Sequence, residues 1–282
     1  QTILSTLANL TPAQQTTLLR QLQPASLGSA SALLASGLFG NGSPAGGGGR
    51  GLFADSGTQR FGMAAGDETG RGMSVWVRPY GESFHQGPKD GFDGFNAAIY
   101  GASAGADIGI GQDFRLGLTT SLSNADITYN GALAGNTSHN LSWHVGVYGI
   151  WTHGDWFIDG QALVGLNSYS SRENLSGTGS ARSASFSGIQ YNVRASAGYD
   201  WKIGRATMTP SVSVNEAHFD IAPYSTTGGG AFDIHVFSQH TDVTQLKIGD
   251  KLAYRLDLPD RWTATPQIHA YYIRNLNAVQ AP

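Results

Sequence analysis

The sequence predicts an all-β protein, an up-and-down antiparallel β-barrel that spans a membrane. Three observations predict it: long stretches in which apolar and polar residues alternate, aromatic residues at the ends of these stretches, and connections that are short on one side and long on the other. About nine such stretches follow one another from residue 73 onward. They begin near Val75, Asn96, Phe114, Asn140, Trp156, Gly188, Ala206, Thr241 and Trp262.

The alternation is clearest between Ile189 and Trp201, where apolar and polar residues follow each other in strict alternation for 13 residues. A strand of a globular protein usually has about 5–6 residues. A tilted strand that crosses a bilayer needs roughly 9–11 residues, and its ends can project into water. The length of this segment therefore favours a membrane strand over a strand of a soluble β-sandwich, which is the main alternative fold.

Large aromatic residues mark the ends of several stretches, on the apolar face. An amphipathic ring prefers the boundary between lipid and water, so membrane barrels carry aromatic girdles there. In a soluble sandwich the large aromatic residues would gather in the core, in the middle of the strands. The residues that we expect at the membrane interface are Trp151, Trp156, Tyr199, Trp201, Tyr254 and Trp262.

The predicted connections fall into two classes that alternate along the chain. The short, turn-like connections are residues 109–113, 152–155, 202–205 and 256–261. The longer and more polar connections are residues 86–95, 129–137, 172–187 and 218–240. This sorting is typical of an up-and-down barrel with turns on one side of the membrane and loops on the other. A Greek-key sandwich would not sort its connections so regularly.

Composition excludes several functional classes. Charged residues make up 13% of the chain and the formal net charge is −3, so we expect no nucleic-acid partner. The sequence contains no cysteine, which excludes disulfides and thiol chemistry and weakens any proposal of a zinc site. No stretch approaches the roughly 18–20 consecutive apolar residues of a transmembrane helix. We expect no cofactor.

The chain divides into three predicted zones. Residues 1–39 have helical character, residues 40–72 form a glycine-rich linker, and residues 73–282 form the barrel. Within the first zone, a capping-box pattern with proline at the first helical position begins at Thr11 and includes Gln14. The helix that follows places Leu18, Leu19 and Leu22 on one predicted apolar face, and Pro24 ends it.

Several short motifs, in their order along the chain, resemble those of a known family. They are Val75-Trp76-Val77-Arg78-Pro79-Tyr80-Gly81, the segment from Gly101 to Asp107, Phe114-Arg115-Leu116-Gly117-Leu118, Val147-Tyr148-Gly149, Ala197-Gly198-Tyr199 and Leu246-Lys247-Ile248-Gly249. From Val75 to about Asn275 the chain is similar to the β-domain of type Va autotransporters. Upstream, Leu10-Thr11-Pro12-Ala13-Gln14 resembles the helical linker that precedes such barrels.

The resemblance implies a translocator in the bacterial outer membrane that exports its own upstream passenger to the cell surface. Outer-membrane lipid, the passenger, the barrel-assembly machinery and periplasmic chaperones are the implied partners, and the barrel is expected to be a monomer. The family barrel has twelve strands, so a count of nine predicts that the last strands are missing. A porin-like outer-membrane channel remains the alternative function, and a soluble β-rich adhesin is a third.

The resemblance also implies that a segment within residues 23–72 runs through the barrel lumen. The polar inward face would then hold it by hydrogen bonds and charges of both signs. The candidate lining residues are Arg78, Glu82, Asp107, Arg115, His144, Asp159, Gln161, Gln190, Arg194, Asp200, Lys247, Lys251, Gln267 and His269. By the same alternation Asp250 faces lipid, so we expect it near the short-turn end of its strand, or a shift of register there.

No candidate for an enzymatic or metal site is persuasive. Ser103 lies in a G-x-S-x-G pattern, but that motif needs a sharp strand-to-helix turn and here it falls within an alternating strand. The spacing of His235, His240 and Asp242 matches no zinc pattern. Asn41 lies where some autotransporters cleave themselves, but its surroundings do not resemble that junction. We therefore expect no catalytic residue, no metal and no enzymatic activity in this chain.

Overall fold

The computed structural model describes residues 3–21, 73–88, 93–257 and 263–276. Two helices come first, α1 (Ile3–Ala8) and α2 (Pro12–Gln21). Both capping-box hydrogen bonds form at the start of α2: the Thr11 amide donates to Gln14 Oε1 at 2.9 Å, and the Gln14 amide donates to Thr11 Oγ1 at 3.3 Å. Neither of these helices has the length and apolar character needed to cross a membrane. The predicted linker of residues 40–72 and Asn41 lie outside the described residues.

Strands make up most of the rest of the described chain, and short 3₁₀ helices lie at Gly131–Leu133 and Gly230–Phe232. The long ones are β1 (Met73–Gln86), β2 (Phe95–Ile110), β3 (Phe114–Tyr129), β4 (Thr137–His153), β5 (Trp156–Asn174), β6 (Ala181–Tyr199), β8 (Ala206–Ile221), β11 (Gln239–Tyr254) and β14 (Gln267–Asn275). The short ones are β7 (Trp201–Ile203), β9 (Tyr224–Ser225), β10 (His235–Val236), β12 (Leu256–Asp257) and β13 (Thr263–Ala264).

The long strands form one curved antiparallel sheet in which each pairs with the next along the chain. The order is β1-β2-β3-β4-β5-β6-β8-β11-β14, and among the described residues β1 and β14 are its two edges. This order confirms the predicted all-β, up-and-down architecture. The chain leaves the sheet mainly through short turns at one end, which we call the turn end, and through residues 87–94, 130–136, 175–180 and 222–238 at the other, the loop end. The exception at the turn end is the longer connection of residues 255–266 between β11 and β14, which includes β12 and β13.

Glycine permits the tight turns at the turn end. Gly111, Gly154 and Gly204 have φ values of 71°, 59° and 61°, in the left-handed region that other residues adopt only with strain. Gly111 and Gly154 each lie between two long antiparallel strands, and Gly204 lies between the short β7 and the long β8, so the chain reverses within a few residues.

The outward face of the sheet carries a continuous apolar band. On β4 the outward residues from Leu141 to Trp151 are apolar or glycine, and the large side chains among them are exposed. At about 3.4 Å per residue and a tilt of about 40°, these ten steps span about 26 Å along the barrel axis. That height matches the roughly 25 Å apolar band of an outer-membrane barrel.

Between this band and the loop end the two faces of the sheet exchange their polarity, so that the outward face becomes polar and the inward face apolar. On β5 and β6 the outward residues become Ser168, Ser170, Ser185 and Ser187, whereas Tyr169 and other apolar residues turn inward. Polar residues outside and apolar residues inside are typical of a sheet surrounded by water. We call this part of the sheet, with its connections, the loop-end extension.

The inversion explains an error in the sequence-based strand boundaries. The apolar pattern predicted a loop over residues 172–187 and a strand beginning near Gly188. In the structure β5 continues to Asn174 and β6 begins at Ala181, so the connection is only residues 175–180. Outward serines and inward aromatic residues do not continue the membrane-strand pattern, so the sequence alone did not assign them to strands.

Two further expectations concern the last strands. A continuous strand was predicted from Trp262, but the pairing is interrupted at residues 265–266 and β14 begins at Gln267. Asp250 lies outward in the half of β11 nearer the turn end, opposite Pro210 and Ala270. The register continues there without a shift. Trp262 lies outside the described residues.

Candidate functional site

The lumen of the barrel is the candidate site, because its wall is polar where the outer face is apolar. The predicted lining residues that are buried in it are Asp107, His144, Asp159, Gln161, Gln190, Arg194 and Asp200. Half-buried on the same face are Arg78, Arg115, Lys247 and Lys251. Gln267 and His269 occupy inward register positions on the edge strand β14 and are exposed. Glu82 lies opposite Ile99 in the register.

A hydrogen-bond network fixes the wall near the turn end. Asp107 accepts from Arg115 Nε at 2.6 Å, from Ser74 Oγ at 2.8 Å and, on its other oxygen, from Tyr148 Oη at 2.6 Å. Tyr148 Oη in turn accepts from the Trp76 indole at 2.8 Å. Because these residues come from β1, β2, β3 and β4, the network connects four strands around one buried carboxylate.

Glycine makes room for the rings of this network. A Cβ atom at Gly117 would lie 2.4 Å from Tyr148 Cζ and 2.7 Å from Asp107 Cβ. A Cβ atom at Gly105 would lie 2.5 Å from Trp76 Cζ2. Both separations are far below van der Waals contact, so the rings pack directly on the backbone of the neighbouring strands.

Amide side chains line the lumen further towards the loop end. Asn140 donates to Ser142 at 2.9 Å, Ser142 donates to Asn167 at 2.6 Å, and Asn167 donates to Gln190 at 3.3 Å. His144 Nε2 lies 3.4 Å from the same Gln190 oxygen. All five side chains are buried, so this tract offers a ladder of amide and hydroxyl groups across β4, β5 and β6.

Several buried amide atoms of the lumen have no hydrogen-bond partner among the described residues. Both side-chain atoms of Asn192 and of Asn215 belong to this group, together with Gln190 Nε2 and Asn140 Oδ1. An unsatisfied buried polar atom is unfavourable by about 1–3 kcal/mol, and native structures leave few of them. An amide can pair with a peptide backbone through both its donor and its acceptor. The wall is therefore suited to bind a polypeptide in the lumen.

The interior of the loop-end extension is largely apolar instead. One cluster joins β2 and β3 with the turn at Gly131–Leu133: Phe95, Ala97, Ile99, Ala125, Ile127, Tyr129 and Leu133. Another joins β6 and β8 with the β9–β10 hairpin: Ala184, Ile221, Tyr224 and Val236. Burial, and after it the nearby Glu173 carboxylate, raises the pKa of the Tyr224 hydroxyl to about 12.

Helix α2 packs into this extension. Leu18, which is fully buried, contacts Leu175 of the β5–β6 connection and Phe232 of the β8–β11 connection. Burying a leucine in this way contributes about 1.5–3 kcal/mol. The neighbouring Leu19 is 54% exposed. The prediction that Leu18 and Leu19 share one apolar face is therefore wrong. Leu22 and Pro24 lie outside the described residues.

Polar contacts hold the end of α2 in place. The Gln21 side chain donates to the Asn174 carbonyl at 2.7 Å and accepts from the Ser176 amide at 3.0 Å. The Gln21 carbonyl accepts from the Arg182 guanidinium. Arg182 is buried and also donates to Glu173 from Nε at 2.8 Å and to the Phe232 carbonyl at 3.1 Å. The buried Arg182 and its partner Glu173 thus provide hydrogen bonds for polar groups that are buried where the helix docks.

The predicted interface aromatics, so far as they are described, lie at the turn end. Trp151, Trp156, Trp201 and Tyr254 are exposed on the outward face, and Tyr199 is half-buried beside Trp156 with ring centroids 5.0 Å apart. Trp143 and other exposed aromatic residues lie farther along the strands, so the girdle is not restricted to the predicted positions.

Sequence reasoning missed several residues of the site. Trp76 and Tyr148 are absent from the predicted lining residues, because that set contains only charged residues, glutamines and histidines. Glu173 and Arg182 fell within a predicted loop. The only sign of this ion pair in the sequence is that Glu173 and Arg182 have opposite charges and lie nine residues apart, on the two sides of a connection.

The structure places His235 apart from His240 and Asp242, and it gives Ser103 no catalytic setting. Ser103 lies within β2, opposite Arg78 and Ser121, with no strand-to-helix turn. His235 lies beside Ser225, with 2.9 Å between His235 Nδ1 and the serine hydroxyl. His240 instead contacts Asp220.

A curved antiparallel sheet of long strands, with an apolar outward band and a polar lumen, defines an outer-membrane β-barrel. Within that class the sequence matches the family described as Autotransporter beta-domain over residues 75–281. The chain therefore belongs to the autotransporter β-domain family, which confirms the resemblance seen in its motifs.

Curated relatives are longer proteins. The chain is 22% identical over 226 residues to Outer membrane protein B of Rickettsia japonica and, equally, of Rickettsia conorii. In both cases the match covers 76% of this chain and 14% of the relative. The chain thus spans about one seventh of the length of these relatives.

Two solved structures share the fold. One is the translocator domain of the autotransporter NalP from Neisseria meningitidis, with a TM-score of 0.65 and 14% identity over 90% of this chain and 80% of that chain. The other is the β domain of the Bordetella autotransporter BrkA, with a TM-score of 0.58 and 15% identity over 72% of this chain and 79% of that chain.

Proposed function

We propose that this chain anchors an upstream passenger in the outer membrane and exports it to the cell surface through the lumen. One observation carries the proposal: the two sides of residues 22–72 lie at opposite ends of the barrel. Gln21 contacts Asn174 and Ser176 at the loop end, whereas β1 begins at Met73, opposite Ile108 and close to the turn end.

In this proposal the chain between Gln21 and Met73 crosses the height of the membrane. A polar, glycine-rich backbone cannot cross through lipid, because each unsatisfied peptide group there costs several kcal/mol. The lumen offers partners instead, since Asn192 and Asn215 present buried amides that no described residue satisfies. The proposal therefore places the crossing segment inside the barrel, with the amide tract holding its backbone.

The direction of the crossing follows from the two ends. Long loops of outer-membrane barrels face the outside and short turns face the periplasm. Helix α2 docks at the loop end, so everything upstream of it would lie outside the cell. The passenger then reaches the surface while the barrel remains in the membrane. We also propose that the barrel works as a monomer, assembles with periplasmic chaperones and the barrel-assembly machinery, and has no enzymatic activity of its own.

The experiment uses the full-length protein with an epitope tag immediately ahead of Gln1, expressed in a Gram-negative host. Protease is added to intact cells, and the tag and the barrel are detected separately. The proposal predicts loss of the tag while the barrel persists. A tag that stays protected until the outer membrane is broken would place the N-terminal side in the periplasm and would favour the channel function.

A further inference from the structure

Four polar residues form a cluster on the outward face of the loop-end extension, away from the lumen. The sequence His-x-Asp occurs on both strands of one antiparallel pair, as His218 and Asp220 on β8 and as His240 and Asp242 on β11. The register sets Asp220 opposite His240 and His218 opposite Asp242. Each histidine therefore faces an aspartate across the strands. On β8 the cluster begins four residues beyond Val214, the last apolar residue of the outward band on that strand.

Three of these residues converge on one point. One ligand atom from each of His218, Asp220 and His240 lies within 4.8 Å of the others. His218 Nε2 is 3.2 Å from Asp220 Oδ2, and His240 Nδ1 contacts Asp220 Oδ1. The two imidazole rings stack at 6.4 Å with 18° between their planes. Ligand atoms at such separations can share one ion with bonds of about 2.0–2.2 Å after small side-chain rotations.

The fourth residue orients one of the ligands. His218 Nδ1 contacts Asp242 Oδ1, so the other ring nitrogen, Nε2, points towards Asp220. A carboxylate that accepts a hydrogen bond from the non-ligating nitrogen is the usual support of a metal-binding histidine, because it fixes the tautomer and the ring orientation. The cluster thus contains both a set of ligands and a carboxylate that positions one of them.

We propose that His218, Asp220 and His240 bind a divalent transition-metal ion of the zinc type, with Asp242 positioning His218. Two imidazoles and one carboxylate favour zinc-like ions over magnesium or calcium, which prefer oxygen ligands. A fourth coordination position would face solvent and hold water. The ion would tie β8 to β11 at the base of residues 222–238, which connect these strands and include Phe232, a contact of α2.

The chain offers a matched control on another part of the outward face. His139 Nδ1 lies 2.7 Å from Asp126 Oδ1 on the neighbouring strand β3, as a cross-strand pair that lacks the second histidine and the second acid. A site that needs only one histidine and one aspartate would bind metal at both places. The proposed site would bind it only where the four residues meet.

The test measures Co²⁺ binding to the full-length protein, purified in detergent, from the visible absorption of tetrahedral Co²⁺, followed by displacement with Zn²⁺. We expect one Co²⁺ per chain, loss of the absorption in H218A and H240A, and unchanged binding in H139A. Asp242→Asn should weaken binding about 10–100-fold without abolishing it. Folding of each variant is checked by its heat-dependent shift in gel mobility.

Two results would overturn the proposal. One is the absence of a tetrahedral Co²⁺ spectrum in the wild-type protein. The other is a spectrum that persists unchanged in the folded H218A/H240A double variant, which would place the ion elsewhere. Equal affinity in wild-type protein and D242N would remove the positioning role of Asp242. None of these outcomes depends on whether the barrel exports a passenger, since surface exposure of the tag reports on that separately.

Discussion

Gln21 and Arg182 are 161 residues apart in the chain, yet the Arg182 guanidinium donates a hydrogen bond to the Gln21 carbonyl. The contact joins the last described residue of α2 to the buried interior of the loop-end extension. Since Met73 begins β1 near the opposite end of the sheet, the described residues that flank residues 22–72 lie at opposite ends of the barrel.

Packing of α2 depends on Leu18 and not on its neighbour. Leu18→Ala removes a fully buried side chain from between Leu175 and Phe232, which should destabilise the docked helix by about 2–5 kcal/mol. Leu19→Ala is the control, because Leu19 is 54% exposed. Hydrogen exchange of residues 3–21 should accelerate strongly in L18A and stay near wild type in L19A. Equal rates in both variants would mean that α2 does not dock as described.

The buried ion pair gives a second test. Glu173→Gln leaves the Arg182 guanidinium buried without its charge partner, and breaking a buried pair in this way costs about 3–5 kcal/mol. Arg172→Ala on the same strand removes an exposed, outward arginine and should change stability by less than about 0.5 kcal/mol. Protease digestion of intact cells should cut the β5–β6 connection in E173Q and spare it in R172A. Cleavage of both variants at the same rate would contradict the role of the pair.

Close packing at the turn end predicts that adding a single methyl group lowers the stability of the barrel. Gly117→Ala would place Cβ 2.4 Å from the ring of Tyr148, which is buried and cannot move aside, so we expect a loss of about 1–3 kcal/mol. Gly160→Ala is the control, because its Cβ would lie 3.8 Å from the Arg194 carbonyl, an ordinary contact. Urea unfolding in detergent should show a lower midpoint for G117A only. An unchanged midpoint would show that the ring packs more loosely.

The lumen amides should matter for export more than for folding. Replacing Asn192 and Asn215 by leucine removes the buried amides that no described residue satisfies, so the barrel should still fold. We expect the fraction of passenger at the surface to fall at least severalfold, because the crossing backbone loses its partners. Asn96→Ala, at an exposed outward position, is the control and should export normally. Normal export by the double variant would show that these amides do not hold the crossing segment.

Most of the fold could be predicted because the lipid imposes a simple rule on the strands. From Ile189 to Trp201 every second residue has to be apolar, and the sequence shows that pattern directly. Above the membrane the rule no longer applies. Ser185 lies outward and Ala184 inward there, so the sequence pattern predicts a loop where β6 begins.

The lumen could be predicted only as a face and not as a set of contacts. Alternation assigned Asp107 and Arg115 to the wall, but it could not show that they share a network with Trp76 and Tyr148. The close packing of these two rings becomes visible only when the facing glycines, Gly105 and Gly117, are known from the register. Likewise His218 and His240 are 22 positions apart, and only the pairing of β8 with β11 brings them together.

The central claim, that α2 lies outside the cell while the turn end lies in the periplasm, is tested most directly by cysteine labelling. The chain has no cysteine, so Leu19→Cys on α2 and Gln112→Cys in a turn introduce single thiols at exposed positions. A maleimide attached to a polymer too large for outer-membrane porins is added to intact cells. We predict labelling of L19C in intact cells and of Q112C only after the outer membrane is broken. If L19C also requires a broken outer membrane, or if Q112C is labelled in intact cells, the orientation and the export function derived from it are wrong.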